Sequence, residues 1–312
     1  MTTNADGKEI QRSSQVLRDY VTRHSRSTAI LAALGAVLDA QVTGTPLDPT
    51  LQARIDDVLH ALDLDGITED VSTADLKQML AEIRYFMLLD AKLLFHTTRS
   101  LAWNHTETEI LQAGGEISAG FANTLTHMIV PRLEGLSQRL GSPDGSFLDV
   151  GVGVASLSIA MAQLWPSLRV VGIDPWAPSL ALARENVQRA GLTDRIELRE
   201  QGVENLPDTN AFDLAWLPSA FIPEQVIPAA CEHVYHALRP GGWLLFAMAN
   251  PGTDPLTASL VQLRTALWGG TVMAPSRIEA LLHQTGFVDV RMLPSPPGAV
   301  VACIAARRMA QQ

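Results

Sequence analysis

Residues 147–155 read Phe-Leu-Asp-Val-Gly-Val-Gly-Val-Ala, and residues 170–174 read Val-Val-Gly-Ile-Asp. An apolar run enters a loop with two glycines, a helical pattern follows, and a second apolar run closes on an acid. That order predicts a strand, a tight turn, a helix and a second strand, with the acid about twenty residues beyond the loop, near the spacing of a dinucleotide fold. It restricts this part of the chain to a layered α/β architecture with a nucleotide-type cofactor at the strand ends.

The details favour one class of cofactor. A nicotinamide loop reads Gly-x-Gly-x-x-Gly and directs a helix N-terminus at a pyrophosphate. Here Ser156 stands at the third glycine, and Asp149 lies two residues before the first, where a pyrophosphate would be repelled. An acid at that point suits a cationic ligand without phosphate. S-adenosylmethionine is such a ligand, with an ammonium group, a sulfonium and a ribose diol that Asp174 can accept in two hydrogen bonds.

With these residues the sequence resembles the class I S-adenosylmethionine-dependent methyltransferases, whose first motif is an acid-x-Gly-x-Gly-x-Gly loop. Asp149, Gly151 and Gly153 fall on motif positions, and Ala155 replaces the last glycine. The resemblance covers residues 145–305. It extends through a helix at 178–190, a third strand at 195–198, a fourth at 212–217, and a helix, Pro-Gly-Gly turn and fifth strand over 238–246. It implies a Rossmann-like, seven-stranded, mostly parallel sheet with an antiparallel C-terminal strand, supplied by runs 288–293 and 300–305 across the turn at 294–298.

At 312 residues the chain has room for such a core, expected over 141–312, and for a second region of similar size. Over 1–140 the apolar spacing is helical. Leu34, Val37 and Leu38 predict a helix from Ser27, Pro49 starts another, Ser72 caps a long one reaching Phe95, and a fourth is expected from Ser118 to Leu140 with a kink at Pro131. Residues 1–15 are polar and expected to fray. The whole N-terminal region is expected to be a helical cap, and by resemblance a homodimer contact.

A formal charge of −10 without a basic cluster argues against nucleic acid as partner. The longest apolar stretch, residues 29–37, is too short to span a bilayer. No export signal is read, so the cytoplasm is the expected compartment. Cys231 and Cys303 are expected to be reduced core residues.

Each candidate site residue has two readings. Asp149 either faces a ligand or caps the loop, and Trp176 either rests against an adenine or packs on the sheet edge. By resemblance Gly202 and Val203 bound the adenine, and Gln201, Glu204 or Asn205 reaches its amino group. Leu217 opens the run Leu-Pro-Ser-Ala-Phe-Ile-Pro, which departs from the Asn/Asp-Pro-Pro-aromatic motif of enzymes that methylate amide or base nitrogens. Its apolar residues suit an apolar or aromatic small molecule. His96, His105 and His127 are candidate bases, with His105 preferred because Trp103-Asn104-His105 looks like a mouth-lining loop. His233 and His236 share a helix face but lack a third ligand, so no metal is expected.

The expectation is methyl transfer from S-adenosylmethionine to a small molecule, with oxygen the favoured acceptor and nitrogen or carbon the alternatives. The competing readings are an NAD(P)-dependent oxidoreductase and a catalytically inactive S-adenosylmethionine-binding partner.

Overall fold

The computed structural model describes residues 3–95, 101–295 and 299–310, with side chains from residue 12 onward. The chain divides into two compact units, Met1–Ala91 and Lys92–Gln312. The division expected near residue 140 therefore falls at 91/92 on grounds of compactness. The helical segments over 108–140 belong to the sheet-bearing unit because their apolar residues share its core: Ala122, Leu125, Leu133 and Leu140 pack with Phe147 and Leu214.

The first unit is helical. Helix α1, Thr3–Thr43, begins far earlier than the apolar periodicity suggests. No proline interrupts residues 3–43, so polar residues of ordinary helix propensity carry the helix outward without a core beneath it. Helix α2, Pro49–His60, starts where expected, with the Asp48 carboxylate accepting from the Thr50 and Leu51 N–H groups. The Ser72 hydroxyl accepts from the Asp75 N–H at 3.1 Å and opens the next helix, α3, Thr73–Phe95. Leu38, Leu76 and Leu80 form a small core between α1 and α3.

In the second unit α4 covers Thr108–Thr124, ten residues earlier than read from Ser118. The helix runs through Gly114 and Gly115, for a packing reason given below. Its end passes through a π-helical turn, Leu125–Ile129, and a 3₁₀ turn, Val130–Arg132, before α5, Leu136–Leu140. Pro131 lacks the N–H that would continue the helix, as its position predicted.

The rest alternates strands and helices: β1 Ser146–Val150, α6 Ser156–Leu164, β2 Arg169–Asp174, α7 Ala177–Arg189, β3 Ile196–Glu200, β4 Phe212–Pro218, α8 Ile227–Ala237 and β5 Leu238–Ala249. The chain ends with α9 Pro255–Leu267, α10 Pro275–Thr285, β6 Phe287–Met292 and β7 Val301–Arg308. Helix α9 has no counterpart among the sequence expectations. The seven strands lie in the order β3-β2-β1-β4-β5-β7-β6, all parallel except β7, which is antiparallel to both neighbours. This is the mostly parallel sheet with an antiparallel C-terminal strand that the resemblance implied. Of the connecting turn, residues 296–298 lie outside the described residues.

Both faces of the sheet are covered, so the central strands are continuously apolar. Helices α4, α6 and α7 pack on the face bearing Phe147, Leu214 and Leu245. Helices α8 and α10 pack on the face bearing Leu148, Ala215 and Leu244. Because β1 and β4 are adjacent while their helices lie on opposite faces, the strand order reverses between them, and a crevice opens at their carboxyl ends. Among the described residues no helix is long and apolar enough to cross a membrane.

Candidate functional site

The loop after β1 is wound by three left-handed residues at alternate positions, Gly151 (φ 68°), Gly153 (φ 56°) and Ala155 (φ 65°). The backbone tightens enough for the Gly151 and Val152 N–H groups to donate to the Ile173 carbonyl of β2 at 2.8 and 3.0 Å. Ala155 keeps the conformation a glycine would adopt, at about 1 kcal/mol of strain. Its methyl is fully buried, which offsets part of that cost.

Asp174 fastens this loop. One carboxylate oxygen accepts from the Gly153 N–H at 2.9 Å and the other from the Trp176 N–H at 2.8 Å. Each oxygen retains a lone pair. Burial raises the Asp174 carboxyl above its ordinary value, with the two N–H groups pulling the other way. Asp149, beside it, is 2% exposed and accepts from the Ser158 hydroxyl at 2.6 Å. Its burial pushes the carboxyl up to about 7, opposed by the Ser158 bond and reinforced by the charge of Asp174. Among the described residues neither acid has a cationic partner. Two carboxylates held by dipoles alone create a concentrated demand for positive charge.

The surroundings explain why helix α4 runs through its glycines. A Cβ on Gly115 would lie 2.3 Å from Val154 Cγ2 and 2.6 Å from Ser156 Oγ, so only glycine lets the helix rest on the loop. Asn186 locks the same contact by donating to the Val154 carbonyl at 3.0 Å and the Gln112 amide oxygen at 3.1 Å. Ser158 and Gly115 are the participants missed in the sequence. Gly114-Gly115 inside an apolar helical pattern was the available signal.

At the next strand, Gly202 and Val203 follow β3 and enter a 3₁₀ turn, Val203–Asn205. A Cβ on Gly202 would lie 2.3 Å from the Glu204 carboxylate, while Val203 is buried beneath. Of the three polar candidates here, Gln201 has a buried amide nitrogen with no acceptor. An orphan donor at the carboxyl end of β3, two strands from the glycine loop, fits a ligand with ring nitrogens. Leu217 is fully buried in the core with Phe246, so it offers a ligand main chain and not side chain.

Trp176 neither lies free nor merely packs. Its indole N–H donates to the His105 carbonyl at 2.6 Å and joins the Asp174 turn to the 101–107 segment. His105 is 2% exposed, with Nδ1 3.8 Å from a Glu107 carboxylate oxygen, and Glu107 in turn pairs with Lys92. Trp103 packs edge-on against both the His105 ring (4.9 Å) and Phe221 (5.2 Å), and Phe221 stacks on Trp268 at 4.9 Å. Phe221 lies just beyond β4, so this aromatic set closes on the crevice end of the sheet. The other histidines do not join it. His96 lies outside the described residues, His127 is exposed, and the His233 ring bonds the Leu206 carbonyl at 2.9 Å.

Residues 147–242 match the family model described as a methyltransferase domain. The chain is 25% identical over 195 residues to the S-adenosyl-L-methionine-dependent methyl transferase PigF of Serratia sp., covering 59% of this chain and 56% of that protein. It is 25% identical over 169 residues to erythromycin 3''-O-methyltransferase of Saccharopolyspora erythraea, covering 50% and 55%. The matched region thus spans about half the length of these curated relatives. The fold superposes on the structure of PigF with SAH at a TM-score of 0.61 and 17% identity, covering 94% of this chain and 98% of that one. The acids without cations, the loop they fasten and the domain match favour a methyltransferase site over the dinucleotide reading: residues 147–242 carry a methyltransferase domain, and the chain shares the fold of an S-adenosyl-L-methionine-dependent methyl transferase.

Proposed function

We propose that this chain transfers a methyl group from S-adenosylmethionine to a small-molecule acceptor, with oxygen favoured over nitrogen or carbon. The observation that carries the reading is Asp174, one of whose oxygens accepts from the glycine loop and the other from the Trp176 N–H, each retaining a lone pair for a vicinal diol. Asp174 takes the ribose hydroxyls, Gly151 and Gly153 allow close approach of the backbone, and Asp149 answers the positive charge of the ligand. Gly202, Val203 and the Gln201 amide border the adenine, Trp176 lies beside it, and Leu217 contributes its main chain. When bound, the cofactor supplies an electrophilic methyl group on a sulfonium.

What the chain adds is placement and dryness. The Trp103, Phe221 and Trp268 rings suit an apolar or aromatic acceptor held beside the crevice. His105 is the candidate base, positioned by Glu107, for an acceptor hydroxyl. Oxygen is favoured because the run after β4 lacks the nitrogen-orienting motif and because one relative is named an O-methyltransferase. The N-terminal helices are assigned to a homodimer. Val16, Leu17, Tyr20 and Val21 of α1 are each more than half exposed and lie on one helical face.

Calorimetry with S-adenosylmethionine and with NAD tests the site. The expected result is binding of the first alone, weakened about 100-fold in Asp174→Ala by loss of two charge-assisted hydrogen bonds. Unchanged affinity in that variant would overturn the assignment. Release of S-adenosylhomocysteine with a panel of phenols, amines and carboxylic acids then separates an enzyme from an inactive binding partner.

A further inference from the structure

A cavity of about 580 Å³ opens at the carboxyl end of β5, lined among others by Met248, Asn250, Met273, Met292, Leu293 and Ala302. The volume lies within the usual range of small-molecule sites. Three methionines reach it from separate elements: β5, the segment before α10, and β6. Their unbranched, polarizable side chains adapt to the shape of an apolar guest. Among the described residues the lining carries no acid, base or histidine; its polar side chains are the Ser295 hydroxyl and one amide, which is already engaged. Asn250 Nδ2 donates to the Ala299 carbonyl at 2.8 Å, and its Oδ1 accepts from the Gly252 N–H at 3.2 Å. A charged group entering this space would find no counter-charge among the described lining residues. A hydrocarbon chain needs none.

Two chains of contacts connect the walls of the cavity with the crevice. Along the strand ends, a Cβ on Gly151 would lie 3.7 Å from Pro218 of β4, and Pro218 pairs with Ala247, the residue before Met248. The cavity therefore begins about two strand spacings, roughly 10 Å, from the glycine loop. Along the chain, Trp268 stacks on Phe221, and Gly270 presses so closely on Ala220 that a Cβ would lie 2.2 Å from its carbonyl oxygen. Two residues later Val272 and Met273 form the cavity wall. One short segment thus touches the acceptor-facing aromatic set and closes the cavity.

We infer that the methyl acceptor carries an aliphatic extension, an unbranched chain without hydrogen-bonding groups, and that this cavity holds it. The inference rests on the methyl-transfer reading above for the acceptor end, and on the cavity alone for the chain.

The test uses the full chain with ¹³C-labelled methionine methyls and 1-alkanols as probes, in the absence of methyl donor. Saturable shifts of the Met248 and Met273 resonances are expected, with affinity rising about fourfold per methylene from 1-butanol to 1-octanol. Val272→Trp, which fills the cavity, should abolish the shifts while leaving S-adenosylmethionine affinity unchanged. Met292→Glu, at a position 38% exposed where folding is not at risk, should weaken 1-octanol at least tenfold. In turnover, 4-octylphenol should show a KM at least tenfold below that of phenol in the native chain and within twofold of it in Val272→Trp. Unmoved methionine resonances, or affinity independent of chain length, would overturn the inference even if S-adenosylmethionine binds. Alkanol binding without cofactor binding would instead overturn the methyl-transfer reading.

Discussion

The two ends of the sheet treat a buried aspartate in opposite ways. At the amino end, Asp213 of β4 is 2% exposed and fully matched: Arg239 donates to it at 2.6 Å, Arg139 at 3.3 Å and the Ser146 N–H at 3.1 Å. At the carboxyl end, Asp149 and Asp174 are also buried and receive only a hydroxyl and backbone N–H groups. One acid belongs to a finished ion cluster that ties β1, α5 and β5 together. The other two leave charge uncompensated, and the loop beside them stores left-handed strain at Ala155. The fold spends stability where a cationic ligand would restore it.

Neutralising each acid should break that symmetry of burial, with opposite signs. The Asp149 carboxyl stands at about 7 folded against 3.8 in the unfolded chain, so the folded state retains a proton the unfolded state has lost between those values. Its contribution is present below pH 4 and is lost as pH rises to 7, by up to about 4 kcal/mol. Asp149→Asn should therefore be more stable than the native chain at pH 8 and equal to it at pH 4, as read by urea denaturation at both, while its S-adenosylmethionine affinity falls about tenfold. A native chain whose stability rises from pH 5 to 7 relative to the variant would reverse the assignment of charge stress to this end.

Asp213→Asn should act in the other direction. It leaves two guanidinium groups without their counter-charge and should cost about 3 kcal/mol, less than a sealed pair because both arginines are about one-third exposed. Cofactor affinity of the folded protein should not change. A smaller effect is expected from Gly115→Ala, which forces α4 off the loop by about an ångström and should cost about 2 kcal/mol with a measurable loss of cofactor affinity. Ala155→Gly should be the mildest. It relieves strain but surrenders a buried methyl and frees the unfolded chain, for a net change of about 0.5 kcal/mol or less in thermal denaturation.

Much of the sheet was legible because its signals are local. The apolar runs, the Gly151 and Gly153 turns and the acid at Asp174 each occupy a few adjacent residues, and their order fixed the βαβ plan. Signals that depend on distant contacts were read poorly. The contact made by Gly115 went unread, and its helix was started at Ser118, because the Val154 and Ser156 side chains that need its space lie about forty residues away along the chain. Helix α9 passed unread because, among its residues, only Thr265 is buried, so it shows little amphipathic stripe. The role of Trp176 stood open between two readings, and the carbonyl of His105, 71 positions away, supplied a third.

The class of fold, and the preference for a cationic ligand over a dinucleotide, could be read from residue type at short spacing: glycine where the backbone must turn left-handed, an acid where a phosphate would be repelled. Which charges remain unpaired, which helix presses on the loop and where the methionine-lined cavity lies emerge only in the folded chain. Those depend on which side chains the fold brings together across 40 to 100 residues, and pairing, crowding and desolvation are properties of that assembled environment.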